Sequence, residues 1–221
     1  MFDVRGYMLD ISRDRVPTVR THRLIVDILA RFRYNQFQLY TEHTFAYAGH
    51  EAVWEESDPL TAPEIAKLQA YCEMQGVELV PNQNTFGHME RWLTHPRYNG
   101  LAKFPKGGAV TPWGTVKKFP TTLDPRNPGS IALVEDLLAQ LLPNFRSGLV
   151  NIGCDEIASW PGLCAIAPGH RAGAPPLWKL TRFLGALGSL GETPIKMVEW
   201  SVRAPLPTST SKIHLGKEKY T

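Results

Sequence analysis

Regular alternation of short apolar strands with amphipathic helices is the feature that most narrows what this chain can fold into. Val4–Ile11 is a short, mostly apolar run, and Thr18–Phe32 carries Leu24, Ile25, Ile28, Leu29 and Phe32 at helical spacing. Gln36–Tyr40 reads as the next strand. Thr61 then stands as N-cap with Glu64 at the capping-box position and Pro63 in the first turn, which opens a second helix that Gly76 closes. Val77–Val80 is a third strand, followed by a long loop rich in Pro and Gly. Ser130–Leu142 is a helix ended by Pro143, and Leu149–Cys154 is a fourth strand. Pro176–Leu190 and Ile195–Trp200 supply one further helix and strand.

A strand, a crossover helix and another strand imply a parallel sheet with right-handed connections. Two architectures use that unit. A doubly wound open sheet usually carries a Gly-rich turn after its first strand, but here that turn is Ser12-Arg13-Asp14-Arg15 with no GxGxxG. The better expectation is an α/β fold of the (β/α)8 TIM-barrel type. The polar residues agree, because Asp10, Glu42-His43, Asn82 to His88 and Asp155-Glu156 all follow strands, where such barrels keep their active sites. The count reaches about five of eight βα units, so an incomplete barrel over residues 1–201 with an irregular tail over 202–221 is expected. Charge marks the same division: residues 1–156 hold 16 basic and 18 acidic side chains, whereas residues 157–221 hold 8 and 3.

Composition excludes several functions. A formal charge of +3 over 221 residues, with no basic run denser than Lys117-Lys118, gives no phosphate-tracking surface, so nucleic acid is not an expected partner. Three cysteines without a CxxC pair disfavour a disulfide framework or a zinc knot. No apolar stretch reaches bilayer length, and no apolar h-region follows Met1-Phe2-Asp3-Val4-Arg5, so no membrane is expected. A cytoplasmic compartment is the expectation for the chain as written, a lost upstream leader the alternative. Glu42, His43, His50 and Glu51 show neither HExxH nor a paired-His spacing, so neither a metal nor any other cofactor is expected.

The sharpest constellation is Asn151-Ile152-Gly153-Cys154-Asp155-Glu156, an apolar strand running into two adjacent carboxylates. Burying two carboxylates side by side is costly, so such a pair at a strand end points to function, with an N-cap Asp and a surface Glu as the plainer reading. Neighbouring strand residues point to opposite faces, so only a turn at the strand end lets both reach one pocket. One carboxyl could then act as general acid while the other stays ionised to orient or stabilise. Arg5 taken alone reads as a surface ion-pair partner, and His88 alone as structural. Tyr40, Phe45, Tyr47, Trp54, Trp92, Trp113 and Trp160 put many aromatics in or near loops, as core or as platforms for sugar faces.

Taken together, Arg5-Gly6-Tyr7-Met8-Leu9-Asp10-Ile11-Ser12-Arg13, the Gly87-His88 loop and Gly153-Cys154-Asp155-Glu156 resemble the catalytic barrel of family 20 glycoside hydrolases, the β-N-acetylhexosaminidases. The resemblance covers about residues 4–156. It implies substrate-assisted, retaining hydrolysis of terminal β-linked N-acetylhexosamine, outside the usual scheme of two catalytic carboxylates. On that resemblance Glu156 is the acid/base and Asp155 orients the acetamido group. Arg5 and His88 bind substrate, and Trp200 walls the acetamido pocket. The partner implied is an N-acetylhexosamine-containing glycan, with no dimer required. The missing later strands and the departure from the family pattern over 157–173 make a truncated, catalytically inactive barrel remnant with weak carbohydrate binding the alternative. A different barrel glycosidase using Asp155 and Glu156 is a third reading.

Overall fold

The computed structural model describes residues 2–13, 15–110 and 114–154, and a strand at 196–197. Three parallel strands form its centre: β1 (Gly6–Asp10), β2 (Gln36–Tyr40) and β3 (Glu78–Val80), in the order β1-β2-β3. Gly6 pairs with Gln36 and Asp10 with Tyr40, while Gln36 pairs with Glu78. β4 (Leu149–Val150) pairs in parallel with β5 (Lys196–Met197). The two groups meet where the chain leaves β3: Asn82 bridges Asn151 in parallel, the Asn151 N–H donates to the Pro81 carbonyl at 2.9 Å, and the Gln83 N–H donates to the Asn151 carbonyl at 2.9 Å. Each described strand therefore neighbours the one next in sequence. A sheet wound in one direction is the mark of a barrel, whereas a doubly wound sheet reverses its order.

Crossover helices form where caps and periodicity place them. α1 (Val19–Arg31) starts at Thr18, whose hydroxyl accepts the Thr21 N–H, and it buries His22, Val26 and Leu29. α2 (Glu51–Trp54) is a single turn. α3 (Ala62–Met74) opens with the capping box, the Thr61 N–H donating to the Glu64 carboxylate at 2.9 Å, and buries Ile65, Leu68 and Cys72. Two more single turns, α4 (Glu90–Leu93) and α5 (Pro96–Asn99), break up what sequence reads as one long loop. α6 (Pro128–Leu141) follows Asn127, whose side-chain oxygen accepts the Gly129 N–H at 2.9 Å, and Pro143 lies in the 3-10 turn that ends it. It begins two residues before the expected Ser130, since Pro128 suits the first helical position. The expected helix Pro176–Leu190 and the tail lie outside the described residues, as does all but Lys196–Met197 of the expected last strand.

The core sits between sheet and helices. Phe37, Leu39 and Leu79 are buried on the helix side, with Val26, Leu29, Leu68 and Cys72 in the same cluster. The opposite face is polar: Gln38 Oε1 accepts from Asn82 Nδ2 at 3.3 Å and from Asn151 Nδ2 at 3.0 Å, while Gln38 Nε2 donates to Gln36 Oε1 at 3.0 Å. These bonds lace β2, β3 and β4 together from inside. Buried amides cost several kcal/mol when unpaired, and the register brings most of these side chains together, leaving Asn82 Oδ1 without a partner among the described residues.

Candidate active site

Three parallel strands deliver their following residues to one end, and four of these meet there. Asp10 ends β1, Arg13 follows it by three residues, Glu42 comes two residues after β2, and His88 lies in the loop after β3. One Arg13 nitrogen bonds the Asp10 carboxylate. The other lies 3.2 Å from Glu42 Oε1, 3.4 Å from the Tyr40 hydroxyl and 3.3 Å from His88 Nδ1. Tyr40 donates its hydroxyl to Glu42 Oε1 at 3.1 Å, and His88 Nδ1 is 3.5 Å from the same oxygen. The guanidinium also stands over the Tyr40 ring, 5.0 Å from its centre, and the His88 ring meets Tyr40 edge-on.

The cluster is rooted unevenly. The Glu42 side chain is 10% exposed, that of Arg13 53%, so the carboxylate is the floor of the site and the guanidinium its solvent-facing wall. Main-chain bonds fix that floor: the Glu42 N–H donates to Ser12 Oγ at 2.7 Å, and the Glu42 carbonyl accepts from Gln83 Nε2 at 3.0 Å and Trp92 Nε1 at 2.8 Å. Trp92 is fully buried and packs edge-on against Tyr47 and Tyr98. Phe45, Tyr47 and Trp92 are therefore core and unavailable to stack on a sugar, which removes them from the expected platforms. Trp113 and Trp160 lie outside the described residues.

Burial pushes the Glu42 carboxyl above its ordinary range, against the pull of Arg13, His88 and the Tyr40 hydroxyl. Burial also works against the Arg13 charge, but Tyr40, Asp10 and Glu42 outweigh it and hold the guanidinium protonated. Just behind the floor, burial lowers His43 to about 4, helped by Arg91, and its Nδ1 has no hydrogen-bond partner among the described residues.

The strand-end turn that the carboxylate pair requires is present. Gly153 and Cys154 both have positive φ, 69° each, directly before Asp155. A Cβ on Gly153 would lie 2.2 Å from Asn84 Oδ1, so the close approach of these two loops demands glycine. Thr85 ties them further, its N–H and hydroxyl both donating to the Ile152 carbonyl, at 3.2 and 2.9 Å. Asp155, Glu156 and Trp200 themselves lie outside the described residues.

Arg5 precedes β1, at the amino end of the strands, where its guanidinium donates to the carbonyls of Phe2 and Arg33. These bonds satisfy main-chain carbonyls. Arg13 is the arginine that reaches the site. The signal for Arg13 was in the sequence: a residue three positions past a parallel strand lies at the active end.

Fold and site together define a parallel α/β barrel domain with a charged pocket at the carboxyl ends of its strands. The family model for the glycosyl hydrolase family 20 catalytic domain matches residues 2–164, and this chain belongs to that family. It has that family's TIM-barrel catalytic fold. Among relatives, Hexosaminidase D of Bos taurus is 29% identical over 119 residues, covering 52% of this chain and 30% of the relative. The chitobiase of Flavobacterium johnsoniae superposes with a TM-score of 0.64 at 25% identity, over 88% of this chain and 30% of that one. The β-N-acetylhexosaminidase of Streptomyces coelicolor gives 0.65 at 19% identity, over 86% and 38%. The chain thus spans about a third of the length of the relatives it matches.

Proposed function

We propose that the chain carries the catalytic half-site of an exo-acting, retaining β-N-acetylhexosaminidase. The observation that supports this most is the cluster of Arg13, Asp10, Glu42, Tyr40 and His88 at the strand ends, beside a Gly153-Cys154 turn that leads into Asp155-Glu156. The half-exposed guanidinium of Arg13 holds hydroxyls of a terminal sugar, and Asp10 and Glu42 keep its fork in place. The 2-acetamido oxygen of the substrate attacks the anomeric carbon, the bond to the leaving oxygen breaks, and Glu156 protonates that oxygen. Asp155 accepts the acetamido N–H and balances the positive charge of the oxazolinium intermediate. Glu156 then takes a proton from the water that reopens it. Trp200 walls the acetamido pocket.

The test is hydrolysis of an aryl N-acetyl-β-glucosaminide and of N,N′-diacetylchitobiose by the full chain, its Glu156→Gln variant and its Arg13→Ala variant. Loss of the disaccharide reaction in Glu156→Gln, with the aryl substrate less affected, supports the assignment, because only the poor leaving group needs the proton. Undiminished disaccharide turnover in Glu156→Gln overturns it.

A second reading has its own observation. Tyr7 and Met8 of β1 are 41% and 44% exposed, and so are Leu24 and Ile28 of α1 and Phe32, which caps it, at 55%, 57% and 69%. This favours about five of eight βα units over residues 1–201, leaving a binding remnant without turnover. A cooperatively folded chain that binds N-acetylglucosamine but releases no product fits this reading alone.

A further inference from the structure

Between β3 and α6 the chain throws out a hairpin that the pocket chemistry does not use. Ala102 bridges Leu123 and Val110 bridges Val116, both antiparallel. The Lys103 N–H donates to the Thr122 carbonyl at 2.9 Å, the Gly108 N–H to the Lys117 carbonyl at 2.8 Å, and the Lys117 N–H to the Ala109 carbonyl at 2.7 Å. Gly107 has φ +78°, and a Cβ there would lie 2.5 Å from the Lys118 carbonyl group. The two arms approach each other where only glycine fits.

Its root is the His88 loop. The Leu123 N–H donates to the Phe86 carbonyl at 3.0 Å, and the Met89 N–H donates to the Thr121 carbonyl at 3.0 Å, one bond on each side of His88. The hairpin is thus rooted on both sides of His88, a member of the charged cluster at the strand ends.

Its charge is one-sided. Lys103, Lys106, Lys117 and Lys118 stand on it, and no Asp or Glu occurs between Glu90 and Asp124. Asp124 is held by Arg126, which donates to both its oxygens at 2.9 and 2.8 Å. Two exposed rings accompany the lysines: the Lys103 ammonium lies 5.5 Å from the centre of Phe104, and that of Lys117 lies 5.9 Å from Phe119. Phe119 with the Lys117 ammonium beside it offers a stacking face for a sugar and a partner for an anionic substituent on that sugar, while burial and Arg126 disfavour the charge of Lys103.

We propose that this hairpin is a subsite for an anionic glycan, reading carboxylate or sulfate groups on the sugars beyond the terminal N-acetylhexosamine. The inference rests on the hydrolase reading for its orientation, and it adds the substrate class. Nucleic acid suits the surface less well, because the patch is confined to one hairpin on a chain of net charge +3.

The experiment measures binding to the full chain calorimetrically at low and at physiological salt. The probes are chitohexaose, 6-O-sulfated chitohexaose, a hexasaccharide alternating N-acetylglucosamine with glucuronate, and a single-stranded DNA dodecamer. At low salt at least one anionic glycan is expected to bind about tenfold more tightly than chitohexaose, the exposed Lys106 and Lys118 and the half-buried Lys117 each contributing a few tenths of the necessary free energy. The glycan that gains more identifies sulfate or uronate as the group read. The triple variant Lys106→Gln, Lys117→Gln, Lys118→Gln is expected to bring the ratio close to one and leave chitohexaose binding unchanged. Because these side chains lie on the surface hairpin, a salt titration of the unaltered protein checks the same point without substitution, the ratio falling as salt rises. Equal binding of neutral and anionic glycans, a preference that survives in the triple variant, DNA binding as tight as that of the glycans, or no glycan binding at all each overturns the proposal. Lysine-dependent binding of an anionic glycan without hydrolysis of any substrate leaves the subsite standing and removes the hydrolase reading.

Discussion

The two ends of the parallel strands use the same residue types for opposite purposes. At the amino ends, polar side chains bond main chain. The Arg5 N–H donates to Asn35 Oδ1 at 2.7 Å, Asn35 Nδ2 donates to the Asp3 carbonyl at 2.7 Å, and the Arg5 guanidinium caps the carbonyls of Phe2 and Arg33. Ser147 donates to Glu78 at 2.7 Å and accepts the Leu149 N–H at 3.0 Å, which ties β3 to β4. At the carboxyl ends, charged side chains bond one another, around a Glu42 whose ionised form burial disfavours. The first arrangement satisfies donors that folding would otherwise orphan. The second gathers charges that folding alone does not need, and in parallel barrels that is the end where chemistry is done.

Replacing the two arginines tests this contrast with the largest expected effect. Arg13→Ala is expected to lower kcat/KM on chitobiose by roughly a thousandfold, about 4 kcal/mol, since it removes charge-assisted bonds and leaves Glu42 and Asp10 facing each other uncompensated. Arg5→Gln is expected to stay within about threefold, its loss being of main-chain caps far from the pocket. Equal losses from the two substitutions, measured on folded protein, would break the distinction between the ends.

Much of the fold was readable in advance because its signals are local. The Thr61-Glu64 capping box, the Gly76 helix stop and the Gln36–Tyr40 strand need only neighbouring residues, and the structure has all three. The single-turn helices α2, α4 and α5 were not readable, since four residues carry no periodicity. Arg13 was legible by position, three residues past a parallel strand, but its bonds to Glu42 and His88 join residues 29 and 75 positions away and needed the folded structure. The Gly153-Cys154 turn could be required from the carboxylate pair but not located, because a cysteine at positive φ has no sequence signature. The hairpin at 102–123 was read as loop because Pro105, Gly107, Gly108, Pro112, Gly114 and Pro120 interrupt any alternating pattern, and its arms meet only through isolated bridges.

Acid should find the carboxyl end first. His22, in the first turn of α1, and His43, behind Glu42, are both held by burial to a pKa of about 4 against 6.5 unfolded. Neither His22 ring nitrogen has a partner among the described residues. As pH falls below 6.5 the unfolded chain takes up these protons and the folded chain does not, so stability drops down to about pH 4 by up to about 3 kcal/mol per histidine. Urea unfolding of His22→Leu across this range is expected to show a shallower slope and, at pH 7, no loss of stability. An unchanged slope would mean that His22 reaches water in the folded protein.

Asn35→Ala probes the amino end with a smaller effect. It removes a side chain that bonds Arg5 and Asp3 at once, and the expected cost is about 1 to 2 kcal/mol of unfolding free energy. Specific activity per folded molecule should not change. A fall in kcat/KM at constant stability would show that the lacing of the amino ends reaches the pocket.

The smallest effect concerns the outer strand of the sheet. All five residues of β2 are buried between two neighbours, whereas β1 has one neighbour among the described residues and leaves Tyr7 41% exposed. The Tyr7 ring stacks on Phe37 with centres 6.2 Å apart and planes 13° apart, so one face is covered and the other is open. Tyr7→Ala should therefore cost about 1 kcal/mol, the loss of one stacked face and part of its area, against about 3 to 5 kcal/mol for Phe37→Ala in the closed layer. Thermal unfolding of both variants measures the difference. A cost for Tyr7→Ala near that of Phe37→Ala would mean that the second face of β1 is covered in solution.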